Sequence, residues 1–131
     1  MIIGIGIDLV EIARMEKAIA RHPERFVQRV FTEREQLECA NRPQPAMNYS
    51  ARFAAKEAFL KAVGLGLRAG MRWREVGVVH EPSGKPSLAV QGRAAERLRE
   101  LGAEHVHVSL THTDNHACAV VILEGKEPTD R

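Results

Sequence analysis

Three stretches of the chain carry side chains whose types and spacing suit chemistry. Asp8 follows the run Gly4-Ile5-Gly6-Ile7, where an apolar segment gives way to a more polar one. Lys56-Glu57 and Lys61 lie inside a long helical pattern, and Glu57 and Lys61, four residues apart, share one face. Ser109-Leu110-Thr111-His112-Thr113 is polar chain at the end of a second apolar strand. Each also has an ordinary structural explanation. Asp8 and Glu11 are spaced to cap a helix, Glu57 and Lys61 form an ion pair worth roughly a few tenths of a kcal/mol, and His112 suits a turn. On the residues alone, they support an α+β domain with a candidate acidic metal site and nothing narrower.

Other patterns fail. Gly4-Ile5-Gly6 begins a dinucleotide-binding fingerprint, but Leu9 stands where the third glycine belongs, and the βαβ unit with its acidic residue is missing. Gly84-Lys85 resembles a phosphate loop, yet Pro86 replaces the required Ser or Thr and Val79 the first glycine. His112 and His116 have the spacing of zinc ligands but flank a turn, with no Cys or acidic residue spaced to complete a site.

The elements that must position these residues follow from periodicity. Ile2 to Ile7 reads as a short buried strand, and Asp8 to Val10 as the start of a helix reaching about Arg21, stopped near Pro23. Glu24 to Val30 is helical, and Thr32 with Glu35 has capping-box spacing for a helix from Glu33 to about Asn41. The longest helix runs from about Ala46 to Val63 and ends at Gly64. Residues 75–80 and 87–90 read as a hairpin, 93–101 as a helix, and 105–111 and 117–123 as a strand pair turning at Asp114-Asn115. The predicted fold is α+β: one small antiparallel sheet packed against helices around one long central helix, a single domain over residues 1–123, with 124–131 a frayed tail.

Composition bounds the rest. A chain of 131 residues fits one domain, and a formal charge of +2 does not by itself argue for nucleic acid. Cys39 and Cys118 form no paired motif and read as buried free thiols of a reducing compartment. No apolar run approaches the length of a membrane span, and no basic leader precedes the first isoleucines, so the expectation is a cytoplasmic protein without membrane contact.

Taken together, the stretches resemble a known family. Gly4-Ile5-Gly6-Ile7-Asp8-Leu9-Val10-Glu11-Ile12-Ala13-Arg14 is similar to the N-terminal signature of holo-acyl-carrier-protein synthases. Arg52-Phe53-Ala54-Ala55-Lys56-Glu57-Ala58-Phe59-Leu60-Lys61 is similar to a second signature, found across the 4′-phosphopantetheinyl transferase superfamily. Gly84-Lys85-Pro86 and Ser109 to Thr113 match weaker family motifs in the expected order. The resemblance implies transfer of 4′-phosphopantetheine from coenzyme A to a serine of acyl carrier protein, in support of fatty acid biosynthesis. It further implies Asp8 and Glu57 as ligands of Mg²⁺ (or Mn²⁺) and Lys61 beside the same phosphates, these three forming the catalytic group. Arg52, Gly84, Lys85, Pro86 and His112 join Lys61 as coenzyme contacts. Two-lobed members divide these elements between lobes, and this chain is one lobe long. The resemblance therefore implies a homotrimer in which one subunit's Asp8 and Glu57 face a neighbour's Lys85 and His112, with Val106, Val108 and Leu110 on the buried interface.

Arg14, Lys17, Arg21 and Arg25 are spaced as one stripe if helix continues past Pro23, and Arg29 extends it. Flanked by Met15 and Phe26, such a stripe suits the acidic, amphipathic helix of a carrier protein, with Arg14, Arg21 and Arg25 as partner-binding residues. It lacks a stacking platform for nucleic acid. Two other readings stand beside the transferase. A non-catalytic carrier-binding module would need neither carboxylate, and a Mg²⁺-dependent nucleotide pyrophosphohydrolase would not need Arg14.

Overall fold

The computed structural model describes residues 1–127. The elements follow in the order β1 (Ile2–Glu11), α1 (Ile12–Arg21), α2 (Pro23–Val30), α3 (Glu33–Ala40), α4 (Pro45–Val63), β2 (Val76–His80), β3 (Pro86–Val90), α5 (Gly92–Leu101), β4 (Ala103–His112) and β5 (His116–Gly125), with 3-10 turns at Leu67–Ala69 and Trp73–Glu75. The strands form two sheets rather than the single one expected: an antiparallel sheet ordered β1-β5-β4, and a separate β2-β3 hairpin. The capping box forms as read, Thr32 Oγ1 accepting from the Glu35 amide and Glu35 Oε1 from the Thr32 amide.

Several expectations are corrected. The first strand does not stop at Ile7: it pairs with β5 as far as Glu11 opposite His116, so Asp8 sits within a strand, opposite Ala119. Helix α1 then begins at Ile12 without a side-chain cap from Glu11. Pairing along the whole length of β5 outweighs the local capping pattern. The first helix ends at Arg21, close to the expected stop, and because His22 leaves helical geometry the condition for one continuous stripe is not met: it is split between α1 and α2. Glu124 and Gly125, the first two residues of the expected tail, are not frayed. Glu124 and Gly125 belong to β5, and the Met1 ammonium and carbonyl both bond to Gly125; residues 128–131 of that expected tail lie outside the described residues. Cys39 is buried as expected, which pushes its thiol up to about 12, but Cys118 is only half-buried.

Helix α4 packs on β1 and β5, and the contact is backbone on backbone. A Cβ on Gly6 would lie 1.8 Å from the Ala58 carbonyl oxygen, and one on Gly4 would lie 2.4 Å from that of Ala62. Only glycines on the strand and alanines on the helix let the two approach so closely. On its other side α4 is tied by buried charges. Lys56 Nζ lies 2.7 Å from Glu35 Oε1 and also donates to the Val76 and Trp73 carbonyls. Glu35 Oε2 accepts from the Val78 amide, so the pair joins α3, α4 and β2.

The sheet buries one face and leaves the other open. Val106, Val108 and Leu110, expected on an interface, are partly buried here and pack toward the core with Ala119, Val121 and Leu123. It is the opposite face that stands open: Ile5, Ile7 and Leu9 are each about 60% exposed, beside the half-buried Val120 and Ile122.

Gly6→Ala is expected to cost about 3 kcal/mol or more, because the new methyl meets helix backbone that cannot step aside. Gly66→Ala, whose methyl meets nothing within 4 Å, is the control and stays within about 0.5 kcal/mol of the parent. Urea denaturation of both variants checks this.

Candidate active site

Two clusters of the expected residues form at different places on the chain. The first lies where β1 crosses α4. Asp8 points to the helix side of its strand, in the same alternation as Gly4 and Gly6, and meets the helix face that carries Glu57 and Lys61. Lys61 Nζ donates to Asp8 Oδ1 at 3.0 Å and to the Ile7 carbonyl at 2.9 Å. The lysine therefore bridges to the strand instead of closing the intrahelical pair with Glu57 that spacing suggested. Among the described residues no cationic side chain bonds to Glu57, and its carboxyl is pushed above the ordinary range by burial first and by the neighbouring Asp8 second, against the pull of Lys61.

Asp8 and Glu57 open into a groove of about 410 Å³ whose walls include Arg14 and whose apolar lining is Met15, Ala18, Phe26 and Phe53. One end of the groove is thus doubly acidic, and the rest is largely apolar with Arg14 and Glu11 among its polar walls. Arg21 and Arg25 are exposed on α1 and α2 and do not line it. Among the described residues no three His, Cys, Asp or Glu side chains gather into a metal site. Two carboxylates on one groove still suit a hard cation that completes its shell with waters and phosphate oxygens, which is how Mg²⁺ is commonly held.

The second cluster surrounds a cavity of about 440 Å³ lined by Arg42, Arg52, His80, Gly84, Thr111 and His112, among others. Arg52 is 2% exposed. It donates to Glu38 Oε2 at 2.9 Å and to the Asn48 carbonyl, while its Nε proton, though buried, has no partner. A buried guanidinium with a spare donor on a cavity that also holds Arg42 and two histidines suits an anion. Lys85 and Pro86 occupy the hairpin turn next to Gly84, where the Lys85 carbonyl accepts from the Glu81 amide, and neither lines the cavity. The two clusters do not meet within the chain.

Sequence reasoning missed the charges that hold these clusters in place. Lys56, Glu35, Glu38, His80 and Arg42 were not singled out for such roles, although Arg52 and Lys56 fall one turn apart on α4, as Glu35 and Glu38 do on α3. That double spacing of opposite charges on neighbouring helices is the available signal. Beside Arg52, the imidazole of His80 is held below its usual range by burial first and by that guanidinium second, against Glu38.

The chain matches the model of a protein family described as the 4′-phosphopantetheinyl transferase superfamily, over residues 4–121. It is 50% identical to the holo-[acyl-carrier-protein] synthase of Maricaulis maris, covering 96% of this chain and 92% of that protein. Among solved structures, the holo-[acyl-carrier-protein] synthase of Neisseria meningitidis aligns with a TM-score of 0.87 at 35% identity, covering 95% of this chain and 99% of the other. The Bacillus anthracis synthase, in complex with coenzyme A (3′,5′-ADP), aligns with a TM-score of 0.78 at 33% identity, covering 96% and 99%.

A carboxyl whose proton affinity rises on folding stabilises the fold while protonated and loses that contribution as pH rises through its folded pKa. Without metal, Glu57→Gln should therefore raise the melting temperature by a few degrees at pH 8. The gain should vanish near pH 4, where the parent is protonated as well. Thermal melts in EDTA at the two pH values check this.

Proposed function

The chain belongs to the 4′-phosphopantetheinyl transferase superfamily, and we propose that it acts as a holo-acyl-carrier-protein synthase, moving 4′-phosphopantetheine from coenzyme A to a serine of apo acyl carrier protein. The serine oxygen attacks the β-phosphorus, the bridging P–O bond breaks, and 3′,5′-ADP leaves. One observation carries this reading: residues from both signature segments, Asp8 from one and Glu57 and Lys61 from the other, converge at the end of an apolar groove that Arg14 also lines.

In this reading Asp8 and Glu57 hold Mg²⁺, or Mn²⁺, and Lys61 keeps Asp8 oriented while presenting its ammonium to the same phosphates. When bound, the cation neutralises charge on the pyrophosphate. The raised proton affinity of Glu57 supports this role, because a carboxylate crowded by burial and by Asp8 gains from a cation beside it. Arg14 and the apolar groove face an acidic, amphipathic helix of the carrier, and Arg21 and Arg25 add steering charge. Arg52, Gly84, Lys85, Pro86 and His112 contact the nucleotide end of coenzyme A, with the free Nε proton of Arg52 as one donor.

Both clusters serve one reaction if copies of the chain assemble. The open apolar face at Ile5, Ile7 and Leu9 supports a homotrimer in which the carboxylates of one copy face the hairpin and His112 of the next. No helix among the described residues is long and apolar enough to cross a membrane. In this reading the reaction serves fatty acid biosynthesis in the cytoplasm.

Incubated with coenzyme A and Mg²⁺, apo acyl carrier protein should gain one phosphopantetheine by intact mass. EDTA, Asp8→Ala and Glu57→Ala should each reduce the rate by at least about 100-fold. No gain with several carriers would overturn the transferase: release of 3′,5′-ADP would then favour the hydrolase, and carrier binding alone the docking module. The shared site has its own test. Asp8→Ala and His112→Ala, each nearly inactive alone, should recover activity when unfolded and refolded together, because mixed assemblies hold intact sites. No recovery from co-assembled subunits would place each complete site within one chain.

A further inference from the structure

A second depression lies beside the carboxylate groove, and neither cluster described above uses it. It encloses about 670 Å³ and is lined by Arg29, Leu67, Met71, Arg72, Trp73 and Arg74 together with Glu75 and the start of α5. Glu75, whose carboxylate accepts from the Arg72 amide at 3.0 Å and from the Arg93 amide at 3.1 Å, offsets one of the three arginines and leaves the lining with an excess of positive charge. Arg29 and Arg72 are exposed, Arg74 donates to the Gln28 carbonyl, and Leu67 is 36% exposed. The surface is thus basic at its rim and apolar within.

The two depressions share a wall. Phe26 and Phe53 line the carboxylate groove, and Trp73, which lines the second depression, packs on Phe53 at 5.2 Å between ring centroids. Phe26 lies 6.5 Å from Phe53, so the three rings form a row. Arg29 follows Phe26 by three residues on α2, placing one side chain in each depression within a single turn. A helix docked on the groove through Arg14 and the apolar lining therefore has a basic hollow next to it, across the row of rings.

We propose that this hollow receives a second acidic segment of the carrier protein, with an apolar side chain over Leu67 and Trp73 and carboxylates on Arg29 and Arg72. The proposal rests on the carrier-protein reading above. Charge complementarity and continuity with the groove favour this occupant, and aromatic and arginine side chains are the usual anchors of such contacts. A free phosphate site would be expected to offer desolvated donors. Among the described residues the one buried side-chain donor without a partner is Arg52 Nε, which belongs to the other cavity. Two anchors also do what one cannot. A carrier held only at the groove can pivot about that contact, whereas a second hold fixes the angle at which its serine meets Asp8 and Glu57.

Trp73 is the only tryptophan of the chain, so its emission reports on the hollow directly. Apo acyl carrier protein, titrated without coenzyme A, should change that emission saturably. Arg72→Glu and Leu67→Asp, both on exposed side chains, should raise the KM for carrier by about tenfold, roughly 1.4 kcal/mol, with the KM for coenzyme A within about twofold of the parent. The rate should recover at saturating carrier, and thermal melts should match the parent. Loss of the emission change in Arg72→Glu separates contact at the hollow from an effect relayed through Phe53. The proposal falls if the parent modifies the carrier while emission stays flat, or if both variants keep the parent KM. It also falls if inorganic phosphate alone reproduces the emission change. A protein that never modifies the carrier, yet whose emission follows carrier concentration and loses that response in Arg72→Glu, would sink the transferase and keep the docking site.

Discussion

Strand β1 and helix α4 touch through backbone, and the arrangement of the candidate site depends on that contact. The carbonyl oxygens of Ala58 and Ala62 occupy the space that side chains on Gly6 and Gly4 would take. Asp8 is the next residue in the same alternation, so the spacing that lets the strand descend onto the helix also delivers a carboxylate to its flank. Lys61, one turn beyond Glu57, can then reach both the Ile7 carbonyl and Asp8. With a larger residue at position 4 or 6 the strand would ride outward, and the short contacts of Lys61 would open.

The remaining question for α4 is rotation about its own axis, and buried charge addresses it. Arg52 and Lys56 reach toward α3, where Glu38 and Glu35 receive them, while Phe53, Glu57 and Lys61, each four residues apart, turn toward β1 and the groove. A buried ion pair is weak support for stability, since desolvation offsets much of its attraction, but removing one partner leaves an uncompensated charge. Burial lowers the proton affinity of Lys56 more than Glu35 restores it, the signature of a charge kept in place at a cost. What the pair supplies is direction: Lys56 can satisfy Glu35 and the Val76 and Trp73 carbonyls at one helix rotation, and that rotation aims Glu57 at Asp8.

The sequence shows most of the elements because their signals are local. The capping box at Thr32, the glycine after Val63 and the hairpin at Gly84 each specify a boundary within a few residues. Asp8 was misplaced at a helix start because Asp8-x-x-Glu11 is a local pattern, whereas its strand is dictated by β5 more than a hundred residues later. Glu35 was read as half of a capping box, which it is, but its second oxygen serves β2 and its charge serves Lys56. Partners far apart in sequence cannot be paired by spacing along one helix. The carboxylates and the Arg52, Gly84 and His112 set are grouped in the sequence only by family resemblance, since signatures record such long-range pairings without explaining them.

The strand that carries Asp8 has a second consequence. Along β1 the residues facing α4 are Gly4, Gly6 and Asp8, and the alternate residues Ile5, Ile7 and Leu9 face the open side. Three large aliphatic side chains left about 60% exposed forgo roughly 1–2 kcal/mol each relative to full burial, an incentive for that face to be covered. Whatever covers it packs on the residues immediately before and after Asp8, and through the register on Val120, which lies between Ile7 and Ser109. On the reading proposed here the cover is a second copy of the chain, so assembly presses directly on the strand that holds the metal-binding carboxylate. The same pleat that buries glycine against the helix sets the open apolar face one residue away from Asp8, and neither side of β1 can change without moving the other.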